Sequence, residues 1–474
     1  MTSVTISPRF IIGLLFSVTG IIVVIALLML LSKYSALIEE DYLSQENTYD
    51  DTHIERSIEN IINLSSVYDE ILTPKVRQPT PEEAEKYPQL TNLPTLYITL
   101  NDDVSFSSIT KEEYIAGTYT LVYGEEGGIY DEPIFVKGRG AYSWSNPKRP
   151  YTVKLGKPTD LLGMNKARKW VLMADYVDKT MLRTYLTFKL ARDISQGIFS
   201  PDSRYVDAYF NGQYNGLYYI LDSIQVYENR INIDIEHEAL FEIEAIYRHD
   251  NHRNCIDMRN GGHHILYKKP DDNDIFREVK EANLVKFQEF FDNFHTALDK
   301  GYNEFSKYMN VESFVNWYIV NELVKNFDSA FTASCYCYIK DGKLHMGPVW
   351  DYHTCYGGQE VATCRIPTGY HVRTSPWFSK LMDDETFFKL VCERWTELRK
   401  EGVIDDFLSQ IPGVIDNMSD SIEKNFILWR SALRETGLRG RARSFFTFEE
   451  EVDYLVNWTL TRIEWLDKQW YIDD

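Results

Sequence analysis

The sequence predicts an α+β fold, with strands concentrated in the first half of the folded region and helices in the second. Three observations carry that prediction. Runs such as Pro94-Thr95-Leu96-Tyr97-Ile98-Thr99-Leu100 and Trp170-Val171-Leu172-Met173 are short, rich in β-branched and aromatic residues, and flanked by turn residues. From about residue 274 onward, long stretches carry apolar residues at helical spacing. Within that second half, Cys335–Lys340, Asp341-Gly342 and Lys343–Met346 form the Asp-Gly pattern of a two-residue hairpin.

The chain has 474 residues, enough to build more than one lobe. Residues 10–31 form a run of 22 residues without a charge, the length of a membrane-crossing helix. No small-x-small cleavage pattern follows before Ser35-Ala36, so an uncleaved single-pass anchor over residues 1–33 is expected. Arg9 precedes the run, and Lys33 follows it with Glu39, Glu40 and Asp41 close behind. That balance leans to an inside amino terminus and an extracytoplasmic domain. Residues 34–92, polar and ending in Pro74, Pro79 and Pro81, read as a stalk.

Strands are then expected at 119–123, 134–137, 151–155 and 170–173. A helix follows from about 179 to 193, with Leu182, Leu186 and Leu190 on one side. Tyr205, Asn211-Gly212 and Tyr218 mark a further hairpin over 205–221. Helical patterns at 274–298, 311–326, 386–400, 404–424 and 448–469 complete the chain. The β-rich lobe is set at 93–235 and the helical lobe at 236–474.

A net charge of −21, spread along the chain, argues against a nucleic-acid partner, whose phosphates need a basic stripe. It gives instead an acidic, solvated surface. Cys355 and Cys364 bracket a short loop and can pair in an oxidising compartment, whereas Cys335 and Cys337 share one face of a strand. His353 beside Cys355 matches no zinc spacing, and His263-His264, pointing oppositely on a strand, is a poor chelate. A metal-dependent hydrolase is disfavoured on those grounds.

The candidate chemistry rests on Asp328, at the end of a helical run, and Asp351, after Gly347-Pro348-Val349-Trp350. A carboxylate, a hairpin and a second carboxylate is the order in which protein kinases set the group that takes the acceptor proton and the group that holds magnesium. Gly138-Arg139-Gly140-Ala141-Tyr142-Ser143 supplies a turn whose backbone N–H groups can approach phosphate, and Lys154 follows on a strand. Each piece alone is commonplace; their order is specific.

The ordered set also includes Pro147-Lys148-Arg149-Pro150-Tyr151, Leu161-Leu162-Gly163-Met164, Asp178-Lys179 with Leu182-Arg183, and Asn211-Gly212-Gln213-Tyr214-Asn215-Gly216. Asn321-Glu322 with Asn326-Phe327-Asp328, and Trp377-Phe378 with Arg394-Trp395, extend it. In this order the chain closely resembles the CotH family, named for a spore-coat protein, over roughly residues 94–400. The resemblance implies an atypical, bilobal protein-kinase fold. It also implies ATP-dependent transfer to serine or threonine of a protein substrate, with Mg²⁺ or Mn²⁺. Position by position it implies Asp328 as the catalytic aspartate, Asp351 as the metal-binding one, and Lys154, Arg139 and Ser143 around the nucleotide phosphates. Asp178 and Arg183 fall in a matched segment, either near the site or as a structural ion pair.

The chain departs from the family pattern in three places. Asp351-Tyr352-His353 carries histidine where an aspartate usually stands, and magnesium prefers oxygen ligands. Ala141-Tyr142 replaces small polar residues, and Ala333 replaces the usual kinase asparagine, leaving Ser334 as a hydroxyl ligand for metal. These departures keep an alternative open: a catalytically silent, kinase-like protein acting as a surface binding or assembly module.

Overall fold

The computed structural model describes residues 73–472 apart from 102–103, 196–198, 249–254, 259–261, 270–276, 360 and 431–446. The apolar run at 10–31 lies outside them; among the described residues no helix is long and apolar enough to cross a membrane. The described chain is a mixed α+β structure with two sheets.

Seven strands close into a barrel: β1 (Thr95–Leu100), β2 (Ile115–Val122), β3 (Gly128–Gly138), β4 (Tyr151–Thr159), β5 (Ala167–Met173), β6 (Ser203–Phe210) and β7 (Gln213–Asp222). Their order is β1-β2-β3-β4-β5-β7-β6, and a parallel pairing of β1 with β6, Ile98 opposite Phe210, shuts the ring. Side chains alternate across each strand, so Leu96, Ile98, Trp170, Leu172, Tyr218 and Ile220 fill the barrel. The alternate residues Val171, Met173, Leu217, Tyr219 and Leu221 join a second, larger core shared with the helices. β5 and β7 are therefore buried on both faces, which is why their sequences run apolar without a break.

Residues 73–92, expected within the stalk, lie on this barrel. Arg77 exchanges backbone hydrogen bonds with Gly128, at 3.0 and 2.8 Å, and Tyr87 packs with Tyr97 and Tyr130.

The second half is not only helical. β8 (Ala239–Ala245), β9 (Cys255–Asp257), β10 (His263–Lys269), β11 (Cys335–Lys340) and β12 (Lys343–Met346) form an antiparallel sheet in the order β12-β11-β8-β10-β9. Its central strand pairs with β11 from far along the chain, and β9 is three residues long, so the local sequence signal is weak. The hairpin of β11 and β12 does follow its sequence: Asp341 (φ 51°) and Gly342 (φ 71°) are both left-handed, as a type I′ turn requires.

Among the described residues the longer helices are α1 (Arg183–Ile194), α2 (Arg277–Leu298), α3 (Val311–Val324), α4 (Glu385–Lys400), α5 (Val403–Ser409), α6 (Ile411–Leu428) and α7 (Phe448–Trp470). α1 begins later than its apolar spacing suggests. The Asp178 carboxylate accepts from the Thr180 N–H and hydroxyl and from Arg183 N, building a turn that competes with helix. The single helix expected over 404–424 is two, because Pro412 in the first turn of α6 has no N–H to continue α5. α3 is buried almost all round and is capped by Asn310, whose side chain accepts from Ser313 N at 2.8 Å.

One buried ion pair ties these helices together. The Glu322 carboxylate, on α3, accepts from Arg462 Nη2 on α7 at 2.9 Å, from His371 N at 2.7 Å and from Arg373 N at 3.0 Å. Both charged side chains are fully buried. Removing one partner strands the other charge away from water, so Arg462→Met is expected to lower the unfolding free energy by about 3–5 kcal/mol in chemical denaturation. An unchanged midpoint would contradict this role.

Candidate active site

The end of α3 sets the first functional group. Lys325 turns left-handed (φ 48°) and stops the helix, and Phe327–Ala330 form a single 3₁₀ turn carrying Asp328. The Asp328 carbonyl accepts from Thr332 N at 2.9 Å and from the Cys335 thiol at 3.1 Å, which ties the turn to the start of β11. Asp328 itself is partly exposed. Downstream, Phe331, Ser334, Asp351 and Tyr356 all have positive φ, so backbone strain gathers around the two aspartates.

Asp351 and His353 face each other: Asp351 Oδ1 and His353 Nδ1 are 2.5 Å apart. Burial opposes a charge on this imidazole, but Asp351, then Asp175 and Asp328, hold it protonated and raise its pKa to about 9. Three carboxylates thus bear on one histidine whose side chain is 24% exposed, recessed but not sealed. Asp175 was not expected here. It follows β5 in a left-handed conformation (φ 39°), is 6% exposed, and accepts from the Thr184 hydroxyl at 2.6 Å. Burial pushes its carboxyl up to about 6, with Asp178 and Asp351 adding to the rise and His353 and Thr184 opposing it. Its sequence signal was faint: an aspartate just past an apolar strand, with no local mark of its unusual φ.

Arg139 lies next to this group. Its guanidinium stacks on the Trp350 ring, 5.0 Å from the centroid, and lies within the fields of Asp351 and Asp175. Arg139, Gly140, Thr152, Lys169, Val171, Ser223, Ile224, Tyr336 and Trp350 line a recess of about 190 Å³. Gly140 (φ 85°) is required in the turn: a Cβ there would strike the Ser143 hydroxyl. A larger cleft, about 530 Å³ and lined by Tyr123, Tyr185, Arg204 and Tyr205 among others, shares no residue with this recess.

The remaining expected residues fall differently. Lys154 is on the same face of β4 as Thr152 but is exposed, and its cross-strand neighbour Lys169 is the lysine that lines the recess. The sequence places Lys154 on a strand, and which lysine of the neighbouring strands lines the recess depends on the pairing. Ser143 is held against Gly140 inside its own turn and does not line the recess. Ser334, left-handed at φ 53°, immediately precedes β11 and is partly exposed. Asp178 and Arg183 form a buried ion pair, Oδ1 to Nη1 at 2.5 Å, with Arg183 Nε donating to the Cys355 carbonyl at 3.0 Å. Cys355 and Cys364 both carry free thiols: the Cys355 thiol donates to the Tyr352 carbonyl at 2.8 Å, and Cys364 Sγ lies 3.5 Å from His371 Nε2. The conditional pairing of Cys355 with Cys364 is not formed.

Among the described residues, no three His, Cys, Asp or Glu side chains are arranged to hold a metal on their own. The donors present still fit magnesium, which is ordinarily held by one or two carboxylates together with substrate phosphates. Asp351 supplies such a carboxylate, and Ser334, six residues after Asp328, carries a hydroxyl.

Arg139, in a strand-borne glycine turn, thus lies within the field of Asp351, and Asp351 and Asp328 both act on His353. A family model described as CotH kinase protein matches residues 136–466, and the chain belongs to that family. No curated protein matches the chain.

The electrostatics of His353 give a pH prediction. Folding raises its proton affinity above the ordinary histidine value, so its stabilisation is complete below that value and is lost as pH rises through about 9. The stability difference between the parent and His353→Asn should shrink by on the order of 2 kcal/mol between about pH 6 and pH 10. A pH-independent difference in denaturation midpoints would refute the pairing.

Proposed function

We propose that the protein is an ATP-dependent protein kinase that transfers the γ-phosphoryl group to serine or threonine of a protein substrate. The observation that supports it most is the gathering of Asp175, Asp328 and Asp351 around His353, beside Arg139. On this reading the barrel and the helical part act as the two lobes of a kinase, with nucleotide in the recess at Arg139, Lys169 and Trp350. The run at 10–31 anchors the chain in a membrane, with the folded region extracytoplasmic.

Phosphoryl transfer asks mainly for positioning and charge neutralisation. Arg139 and Lys169 bring fixed positive charge to the phosphates, and the Gly138-Arg139-Gly140 turn lets the backbone approach closely. Mg²⁺ or Mn²⁺, held by Asp351 with Ser334, would neutralise charge on the phosphate oxygens. Asp328 orients the acceptor hydroxyl and takes its proton as the new O–P bond forms and the bond to the β-phosphate breaks. His353 places a protonated side chain where the family pattern has a carboxylate.

A second reading, a silent relative that binds without turnover, is favoured by one contact: His353 already engages Asp351 Oδ1 at 2.5 Å. Transfer from γ-labelled ATP separates the two. Asp328→Asn is expected to lower kcat by roughly 10²–10⁴-fold while nucleotide binding stays within about twofold. Lys169→Met should raise KM for ATP severalfold, and Lys154→Met should leave it near the parent value. No incorporation by the parent with either metal favours the silent reading; Asp328→Asn as active as the parent removes Asp328 from catalysis.

A further inference from the structure

Asn321 is fully buried in the last turns of α3, two turns of chain before Asp328. Its amide N–H donates to the Trp317 carbonyl at 2.8 Å, which fixes which way the side chain faces. Its amide oxygen then accepts two hydroxyls, Ser329 Oγ and, at 2.7 Å, Tyr352 Oη. An amide oxygen has two lone pairs, so this acceptor is saturated. The two donors are not arbitrary: Ser329 directly follows Asp328, and Tyr352 directly follows Asp351. Ser329 and Tyr352 are 2% and 1% exposed, so no solvent competes for either bond.

We propose that Asn321 is a positioning residue that holds the Asp328 turn and the Asp351 loop in one register. The proposal rests on the kinase reading for its catalytic meaning, while the coupling itself is a property of the fold. A leucine would fill the space but join nothing, and an aspartate would accept both hydroxyls yet lose its bond to Trp317. The neighbouring thiols reinforce each loop separately, Cys335 on the Asp328 carbonyl and Cys355 on the Tyr352 carbonyl. The Asn321 amide is the acceptor both loops share, and the Ser329 hydroxyl also meets Tyr352 at that point. Because reacting groups misplaced by a fraction of an ångström lose rate steeply, the register of these loops is a catalytic variable.

The test uses Ser329→Ala, Tyr352→Phe and the double variant in the full chain, since Asn321→Leu risks failing to fold. Each single variant should lower kcat by roughly 10- to 100-fold with KM for ATP nearly unchanged, as loss of an outer-shell contact does. The double variant should be no worse than the weaker single, because either loss alone uncouples the loops. Hydrogen exchange supplies a readout independent of activity. Ser329→Ala should speed exchange in 350–356 as well as 327–334, and Tyr352→Phe should do the reverse across the same pair. Exchange that rises only in the loop carrying the substitution, or rate losses that multiply in the double variant, would overturn the proposal. A parent without phosphoryl transfer but with coupled exchange would overturn the kinase reading and leave the coupling standing.

Discussion

The carboxylate of Glu322 is the constraint on which the helical part is organised. A charge with no exposure must find its partners inside the protein, and Glu322 finds three: the Arg462 guanidinium and the backbone N–H groups of His371 and Arg373. Arg462 in turn donates to the carbonyls of Pro367 and Gly369 at 2.9 and 2.7 Å. The carboxy-terminal helix, the segment at 367–373 and the central helix are thereby locked at one point. That point lies six residues before Asp328. The precision of the candidate site is thus set partly by a charge that never meets a substrate.

The site itself is an electrostatic compromise. Three aspartates bear on His353 and would repel one another without it. His353 relieves that repulsion with a positive charge of its own, while Arg139 supplies another from the barrel side. An arrangement of this kind has a net preference for cations and for ligands that carry them, which is the property a metal–nucleotide complex offers. The same histidine bond makes the departure from the family pattern at position 353 consequential, because it engages one oxygen of the Asp351 carboxylate.

Much of this was legible in the sequence, and the failures have physical causes. The hairpin after Asp328 was readable because Asp341-Gly342 can adopt two successive left-handed conformations. The strands of the barrel were readable as short apolar runs between turn residues, whereas their closure into a ring and the two-sided burial of β5 and β7 were not. Asp328, Asp351 and Arg139 could be singled out as candidates because they sit at fixed places relative to those elements. The sheet of β8, β9 and β10 was missed because its pairing is long-range and one strand is very short. Asp175 and Lys169 escaped for a different reason. Their importance lies in which groups they face across the fold, and a single chain of letters carries no trace of that.

The central claim is that the recess beside Arg139 and Asp351 takes a metal–nucleotide complex. Calorimetric titration of the protein with a non-hydrolysable ATP analogue, with and without Mg²⁺, tests it directly. Saturable binding that requires Mg²⁺ and disappears in Asp351→Asn is the predicted result. Absence of binding, or binding indifferent to both the metal and Asp351, would contradict it.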